Sequence, residues 1–225
     1  MNREIENILK TVEAEDRILE VGCNHGFHTT LFTTRLSDRG FILGVDAVPE
    51  NCMIAQSQMA LNNVCNKALI LNCVVSDSNG KQTVANAING FIVNKDQKDI
   101  NGNVLTIDGV SGDCLDDTYG PFNYLKIDVE GFEGVVLRGC QKLLKRTPKI
   151  EIEFHGQESI MKYGSSIQEM LGLIDVEQYN ARMIVRPSYD EMEFDRETLI
   201  KNPSQTMVFF MPKQLPQQIK LHRDG

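Results

Sequence analysis

Apolar residues recur along the chain in two periods, and the switching between them outlines a repeated strand-then-helix order. Ile18, Leu19 and Val21 make a short apolar run that ends at Gly22, and residues 28–36 then set Leu31, Phe32 and Leu36 on one helical stripe. A second apolar strand is predicted over residues 41–45. A helix is predicted over 49–63, where Met53, Ile54, Ser57, Met59 and Leu61 give a rough face. Residues 68–75 read as a nearly continuous apolar strand interrupted by Asn72, and residues 76–80 are a turn by their Ser, Asp, Asn and Gly content. This β-α-β-α-β half calls for a parallel sheet covered on both faces.

The second half is less regular. Residues 81–110 are polar with short β-branched patches, which predicts extended or hairpin structure. Residues 122–127 form the fourth strand, and Val135, Val136, Cys140, Leu143 and Leu144 mark the buried side of the next helix. Residues 150–154 alternate Ile150, Ile152 and Phe154 with Glu151 and Glu153. That alternation is unusual for a central parallel strand. It reads best as a strand near the sheet edge with its acids in water, the alternative being an acid at a pocket rim. A helix over 165–173, a strand over 174–179 and a final, antiparallel strand over 206–211 complete the prediction. The fold class is α/β, with a seven-stranded, mostly parallel sheet, helices on both faces and an antiparallel edge hairpin.

A length of 225 residues suits a single domain, 1–225. The formal charge of -8 and the dispersed lysines and arginines offer no groove for a polyanion, so no nucleic-acid partner is expected. The basic clusters 142–146 and 220–223 read as a solvated helix end and a loose tail. Six cysteines without a C-x-x-C pair read as reduced core thiols. No apolar stretch reaches the length of a membrane span and the first residues are charged, so a soluble, cytoplasmic protein with no membrane insertion is expected. Monomer and homodimer both remain open. The first dozen residues, residues 94–103 and the tail beyond Pro212 are expected to be flexible.

The loop after the first strand carries the first chemical signal. Gly22 and Gly26 allow a tight turn and close backbone approach to a ligand. Their G-x-x-x-G spacing lacks the full dinucleotide fingerprint and the Gly-Lys-Ser/Thr of a phosphate loop. Asp46 ends the second strand, 24 residues beyond Gly22, where a carboxylate accepts two hydrogen bonds from a ribose diol. A ribose acid without a phosphate motif points to an adenosyl ligand that carries no phosphates, such as S-adenosylmethionine. The plainer alternative is an ordinary turn with a surface acid.

Taken with ILEVGCNHGFHTTLF, GVDAVPEN, LNNV, NCVVSDSNG, DCLDD, YLKIDVEGFEGVVLRGCQKLL and PKIEIEF in that order, the chain resembles the FkbM family of S-adenosylmethionine-dependent methyltransferases. The resemblance covers most of residues 18–155 and implies a Rossmann-like methyltransferase fold with S-adenosylmethionine as cofactor. It assigns Glu20, Gly22, Asn24 and Gly26 to the loop around the methionine part of the cofactor. Asp46 falls on the ribose, and Ser76 and Asp77 lie beside the adenine. It also matches Lys126, Asp128, Glu130 and Gly131 to a block at the fourth strand's end that faces cofactor and acceptor. Glu20, Cys23, His25 and Ala47 depart from the family pattern, and His25 puts the acceptor pocket in doubt more than the cofactor.

These residues permit methyl transfer to a hydroxyl. Glu20 suits the methionine ammonium, while Asp128 and Glu130 suit acceptor binding or deprotonation. Lys126 between Leu125 and Ile127 needs a carboxylate, Glu130 or Glu153 being the natural partners. His155, at the end of the fifth strand, is the best histidine for a general base, with a neutral imidazole available near pH 7. No tight metal-binding motif is present, so no metal is predicted, and His222 in the tail is assigned no role. The resemblance makes the acceptor a sugar, a glycoconjugate or a small natural product, with residues 81–110 and 157–196 as candidate acceptor-pocket insertions. An NAD-dependent oxidoreductase is the competing enzyme, and a non-catalytic methyltransferase-like binding module the competing non-enzyme.

Overall fold

The computed structural model describes residues 3–86, 90–93, 104–185, 190–202 and 205–213. The expectations for residues 94–103, for the tail cluster 220–223 and for His222 lie outside these. A first helix, α1 (Arg3–Thr11), precedes β1 (Arg17–Val21), α2 (Phe27–Thr33), β2 (Phe41–Asp46), α3 (Pro49–Leu61) and β3 (Ala68–Asn72). There follow β4 (Val74–Ser76), β5 (Gly80–Ala85), β6 (Val104–Ser111), α4 (Gly112–Tyr119), β7 (Tyr124–Ile127), α5 (Glu133–Arg138), α6 (Gln141–Leu144) and β8 (Lys149–Phe154). The chain ends with α7 (Gln157–Met161), α8 (Ile167–Ile174), a 3-10 turn, β9 (Tyr179–Val185), β10 (Asp190–Glu193), α9 (Arg196–Lys201) and β11 (Thr206–Pro212).

The main sheet has eight strands in the order β10-β9-β11-β8-β7-β1-β2-β3, and β4, β6 and β5 form a second, three-stranded sheet. From β3 to β8 all pairing is parallel. Alternate positions feed two hydrophobic clusters. Leu19, Leu43, Leu125 and Ile150 pack in one, and Ile18, Ile42, Tyr124 and Phe209 in the other. The strand period of two therefore covers both faces of the sheet. Among the described residues no helix is long and apolar enough to cross a membrane.

Six expectations need correction. The sheet has eight strands where seven were expected. The antiparallel β11 is not at the edge, because it pairs with β8 on one side and β9 on the other. Its sequence, TMVFFMP, is buried at all but one position, which suits a strand covered on both faces. The edge hairpin is instead β9–β10, and β10 is the added strand, DEME, exposed at every position. The strand expected over 68–75 breaks at Cys73. Asn72 donates its amide to the Asp46 carbonyl at 3.0 Å, and Val74 to Ser76 leave for the second sheet. The strand expected over 174–179 is the end of α8, where Asp175 takes a left-handed conformation and a turn leads into β9. Nor are all six cysteines core thiols, since Cys65 and Cys114 are exposed and four are buried.

The sixth correction is the most consequential. β8 lies inside the sheet, and Glu151 and Glu153 are buried rather than in water. Register explains how. Glu20 of β1 pairs with Lys126 of β7, which pairs with Glu151 of β8, so the three side chains form one row on one face. The Lys126 ammonium, 2% exposed, lies 3.7 Å from Glu20 and 3.8 Å from Asp128, not on the partners expected from sequence. Thr29 donates to Glu20 at 2.6 Å, and Tyr124 donates to Glu151 at 2.8 Å. Burial opposes a charged lysine, but Asp128, Glu20, Glu151 and Glu153 outweigh it and raise its pKa. Replacing Lys126 with Met strands these acids. Urea denaturation should show a loss of about 3–5 kcal/mol, partly recovered by adding Glu20→Gln. A loss below about 1 kcal/mol would mean that the row does not hold the sheet.

Candidate active site

The chain turns from β1 into α2 through Gly22 to Gly26, and this loop is built against two neighbours. The Gly22 and Cys23 amides donate to the Val45 carbonyl at 2.8 and 3.0 Å. Gly22 has φ 84°, and a Cβ there would stand 1.8 Å from the Asp128 carbonyl oxygen, so only glycine fits. Asp46 clamps the loop from the other side. Its Oδ2 accepts the Asn24 amide at 2.8 Å, while its Oδ1 accepts the Val48 amide at 2.9 Å and the Asn51 side-chain amide at 3.1 Å. Burial pushes the Asp46 carboxyl up, against the pull of those three hydrogen bonds.

Beside this loop, a cavity of about 390 Å³ opens at the C-terminal ends of β1, β2 and β7. It lies where the chain order reverses, β1 being flanked by β2 on one side and β7 on the other, which is where open parallel sheets take their ligands. Gly22, Asn24 and Asp46 line one part, and Asp128, Glu130 and His155 another. Ile92 closes an apolar wall with Val74, Val75 and Phe132. Tyr163 braces it by donating to the Ile92 carbonyl at 2.8 Å and packing edge-on to Phe132 at 5.2 Å. The turn after β7 is tight. Glu130 (φ 54°) and Gly131 (φ 104°) both lie in the left-handed region, and a Cβ on Gly131 would meet the Ser159 carbonyl at 2.9 Å.

Residues 20–183 match the family model described as the methyltransferase FkbM domain. The chain belongs to the FkbM methyltransferase family. Solved structures show the same fold. An O-methyltransferase from Bacillus cereus in complex with SAH aligns with TM-score 0.53 at 14% identity, over 94% of this chain and 81% of that one. A precorrin-6y C5,15-methyltransferase from Geobacter metallireducens gives 0.52 at 7% identity, over 92% and 87%. An rRNA methylase from Streptococcus thermophilus gives 0.51 at 10% identity, over 94% and 95%. The two acceptors that these names state, a precorrin and an rRNA, differ in kind, so the likeness fixes the fold and not the substrate. A search of curated proteins returned no match.

In this FkbM methyltransferase, six of the residues assigned from sequence to cofactor or catalysis meet at the cavity, Gly22, Asn24, Asp46, Asp128, Glu130 and His155, and Glu153 joins them as the pocket-rim acid that was the alternative for β8. Four others do not line it. Glu20 is fully buried beneath it and engaged by Thr29 and Lys126. Gly26 packs against α3, where a Cβ would stand 2.9 Å from that of Ala55. Ser76 is buried, and Asp77 pairs with Arg138 at 3.2 Å. The wall is made by Cys73, Val74 and Val75 just before them. His25 is also absent from the lining. Sequence reasoning missed Gly90, Ile92, Gln205 and Glu133. Glu133 gave no signal, because an acid in a helix's first turn is ordinarily explained by the helix dipole.

His155 needs a correction in charge. Its Nδ1 lies 2.6 Å from Glu133, and its Nε2 lies 3.7 Å from Asp128 and 3.5 Å from Glu130. Burial alone would lower the imidazole pKa, but the Glu133 hydrogen bond and the charges of Glu133, Asp128 and Glu130 raise it to about 9. The ring is therefore an imidazolium near pH 7, not the neutral base expected. Because the folded pKa lies above the unfolded one, the stabilisation is complete below about pH 6.5 and is lost as pH rises through about 9. Urea titrations should show the gap between wild type and His155→Gln shrinking by about 3 kcal/mol across that window. A gap independent of pH would mean that the ring is neutral.

Proposed function

We propose that this methyltransferase uses S-adenosylmethionine to methylate a hydroxyl on a small, uncharged acceptor: a sugar, a glycoconjugate or a small natural product. The observation that carries the reading is the division of one cavity. A glycine loop clamped by Asp46 forms one part, and the carboxylates of Asp128 and Glu130 with His155 form the other. The first part fits the cofactor. Gly22 presents only backbone, Asp46 keeps acceptor capacity beyond its three hydrogen bonds, and Ala47, Cys73, Val74 and Val75 offer an apolar surface to a base ring. Glu20 is too deeply buried for direct contact and serves through Lys126 and Thr29.

When bound, S-adenosylmethionine supplies an electrophilic methyl group on a sulfonium. The chain's residues then have to align the hydroxyl, take its proton and keep competing water out. Asp128, with its side chain 28% exposed, accepts the proton, and Glu130 orients the acceptor. His155 stays charged between them. The carboxylates at this end disfavour an anionic acceptor such as a sugar phosphate.

Calorimetry on the purified chain tests the cofactor. S-adenosylmethionine and S-adenosylhomocysteine should bind and NAD should bind little, and the reverse order would reject the reading. Asp46→Ala should weaken S-adenosylmethionine by about 2 kcal/mol or more, since ribose contacts and loop clamp go together. Asp128→Asn should keep cofactor affinity while lowering methyl transfer by about 10²–10⁴-fold. The wild-type rate should fall as His155 loses its proton near 9. A rate that climbs with pH up to 9 would instead make neutral His155 the base.

A further inference from the structure

Glu133 opens α5 and is completely buried, although an acid in a helix's first turn normally faces water. Its Oε1 accepts the Gly131 amide at 3.0 Å and meets Nδ1 of His155 at 2.6 Å, while its Oε2 has no hydrogen-bond partner. A buried carboxylate in that position is costly unless a nearby cation compensates it. Among the described residues the group in contact that can do so is His155.

We propose that Glu133 is a positioning residue of the methyl-transfer site: it holds Nδ1 of His155, aims Nε2 between Asp128 and Glu130, and keeps the ring charged there. The inference rests on the methyltransferase reading of the cavity and adds a group that never touches cofactor or acceptor. An imidazole has two unlike nitrogens, and the partner of one decides what the other presents. With Nδ1 committed to Glu133, the proton on Nε2 faces the two acids at 3.7 and 3.5 Å. Those acids come from the turn after β7, which the same Glu133 oxygen braces through the Gly131 amide. One buried carboxylate thus sets both the orientation of the histidine and the turn that carries its partners.

The groups facing His155 are consistent with a ring that keeps its proton. Glu133 reaches it from α5, Asp128 and Glu130 from the turn, and Glu153 from its own strand, with a carboxylate oxygen of Asp128, one of Glu153 and a ring nitrogen of His155 all within 4.8 Å of one another. Tyr163 packs nearby. Burial first, then Glu133 and Glu130, push its phenol up to about 12, so it stays neutral. Lys126 is taken up by Glu20 and Asp128 below the cavity. His155 is thus the cation among several acids, and Glu133 is its closest partner.

Histidine ring titration by NMR on the full chain tests this, with the His155 signals identified by their loss in His155→Gln. Wild type should titrate with a midpoint near 9. Glu133→Gln keeps the shape and the hydrogen-bond acceptor but removes the charge, so the midpoint should fall by at least about one unit. S-adenosylmethionine affinity should stay within about twofold, because the cofactor end is untouched. Glu133→Asp, with its shorter reach, should lower the midpoint by less and serves as the readout if the Gln variant does not fold. An unchanged midpoint in either folded variant overturns the proposal. Absence of S-adenosylmethionine binding in wild type would instead defeat the methyltransferase reading, while the titration still decides the Glu133 link.

Discussion

A single ammonium, on Lys126, is the constraint around which the centre of the sheet is organised. Buried between Glu20 and Glu151 on neighbouring strands, it is tolerable only while those strands keep one register. Slipping β7 by one residue would turn the lysine into the cluster of Leu19, Leu43 and Ile150 and leave both glutamates without a counter-charge. Hydrophobic packing alone tolerates many arrangements of similar volume, whereas a charge in the interior tolerates few. The row therefore fixes the relative height of β1, β7 and β8, and that height decides what emerges at their C-terminal ends.

What emerges follows from the strand period of two. Two residues beyond Glu20 comes Gly22, two beyond Lys126 comes Asp128, and two and four beyond Glu151 come Glu153 and His155. The polar face that begins as a buried row thus rises into the cavity. Charge is balanced in two tiers. Lys126 compensates the acids beneath the cavity, and His155, held by Glu133, compensates those at its wall. Neither cation is free to serve as a neutral base, so the proposed proton acceptor is a carboxylate.

Much of this was legible in the sequence, and the failures share a cause. The parallel core showed in its apolar runs, and the glycine loop, Asp46, Asp128, Glu130 and His155 were read correctly as neighbours because each ends or follows a strand of that core. Residues that alternate with apolar ones in β8 looked solvent-facing, since periodicity reports polarity and cannot report that Lys126 waits on the next strand. β11 was placed at an edge because strand order depends on contacts far apart in the chain. Three acids around one methionine gave no sign of β10. Ser76 and Asp77 missed the cavity by a few residues, as the break at Cys73 depends on Asn72 reaching Asp46. The charge of His155 was misjudged for the same reason. It is set by Glu133, Asp128 and Glu130, none of which lies on an element adjoining its own strand in sequence.

The two ends of the cavity differ in how firmly they are held, and the proposed division of labour follows from that difference. Asp46 is 9% exposed and ties Asn24, Val48 and Asn51 together before any ligand arrives, so little ordering remains to oppose binding there. Asp128 and Glu130 are more open, with side chains 28% and 36% exposed. Between the ends runs a wall whose Ile92 comes from the connection between β5 and β6 and is braced by Tyr163, just beyond α7. Both segments expected to shape an acceptor pocket therefore touch this wall, one by lining it and one by supporting it. A change at Ile92 or at its Tyr163 brace alters this wall without touching the Asp46 clamp or the Lys126 row. In the proposed reading, methyl donor and acceptor are in this way held by separate parts of one cavity at the strands' C-terminal ends.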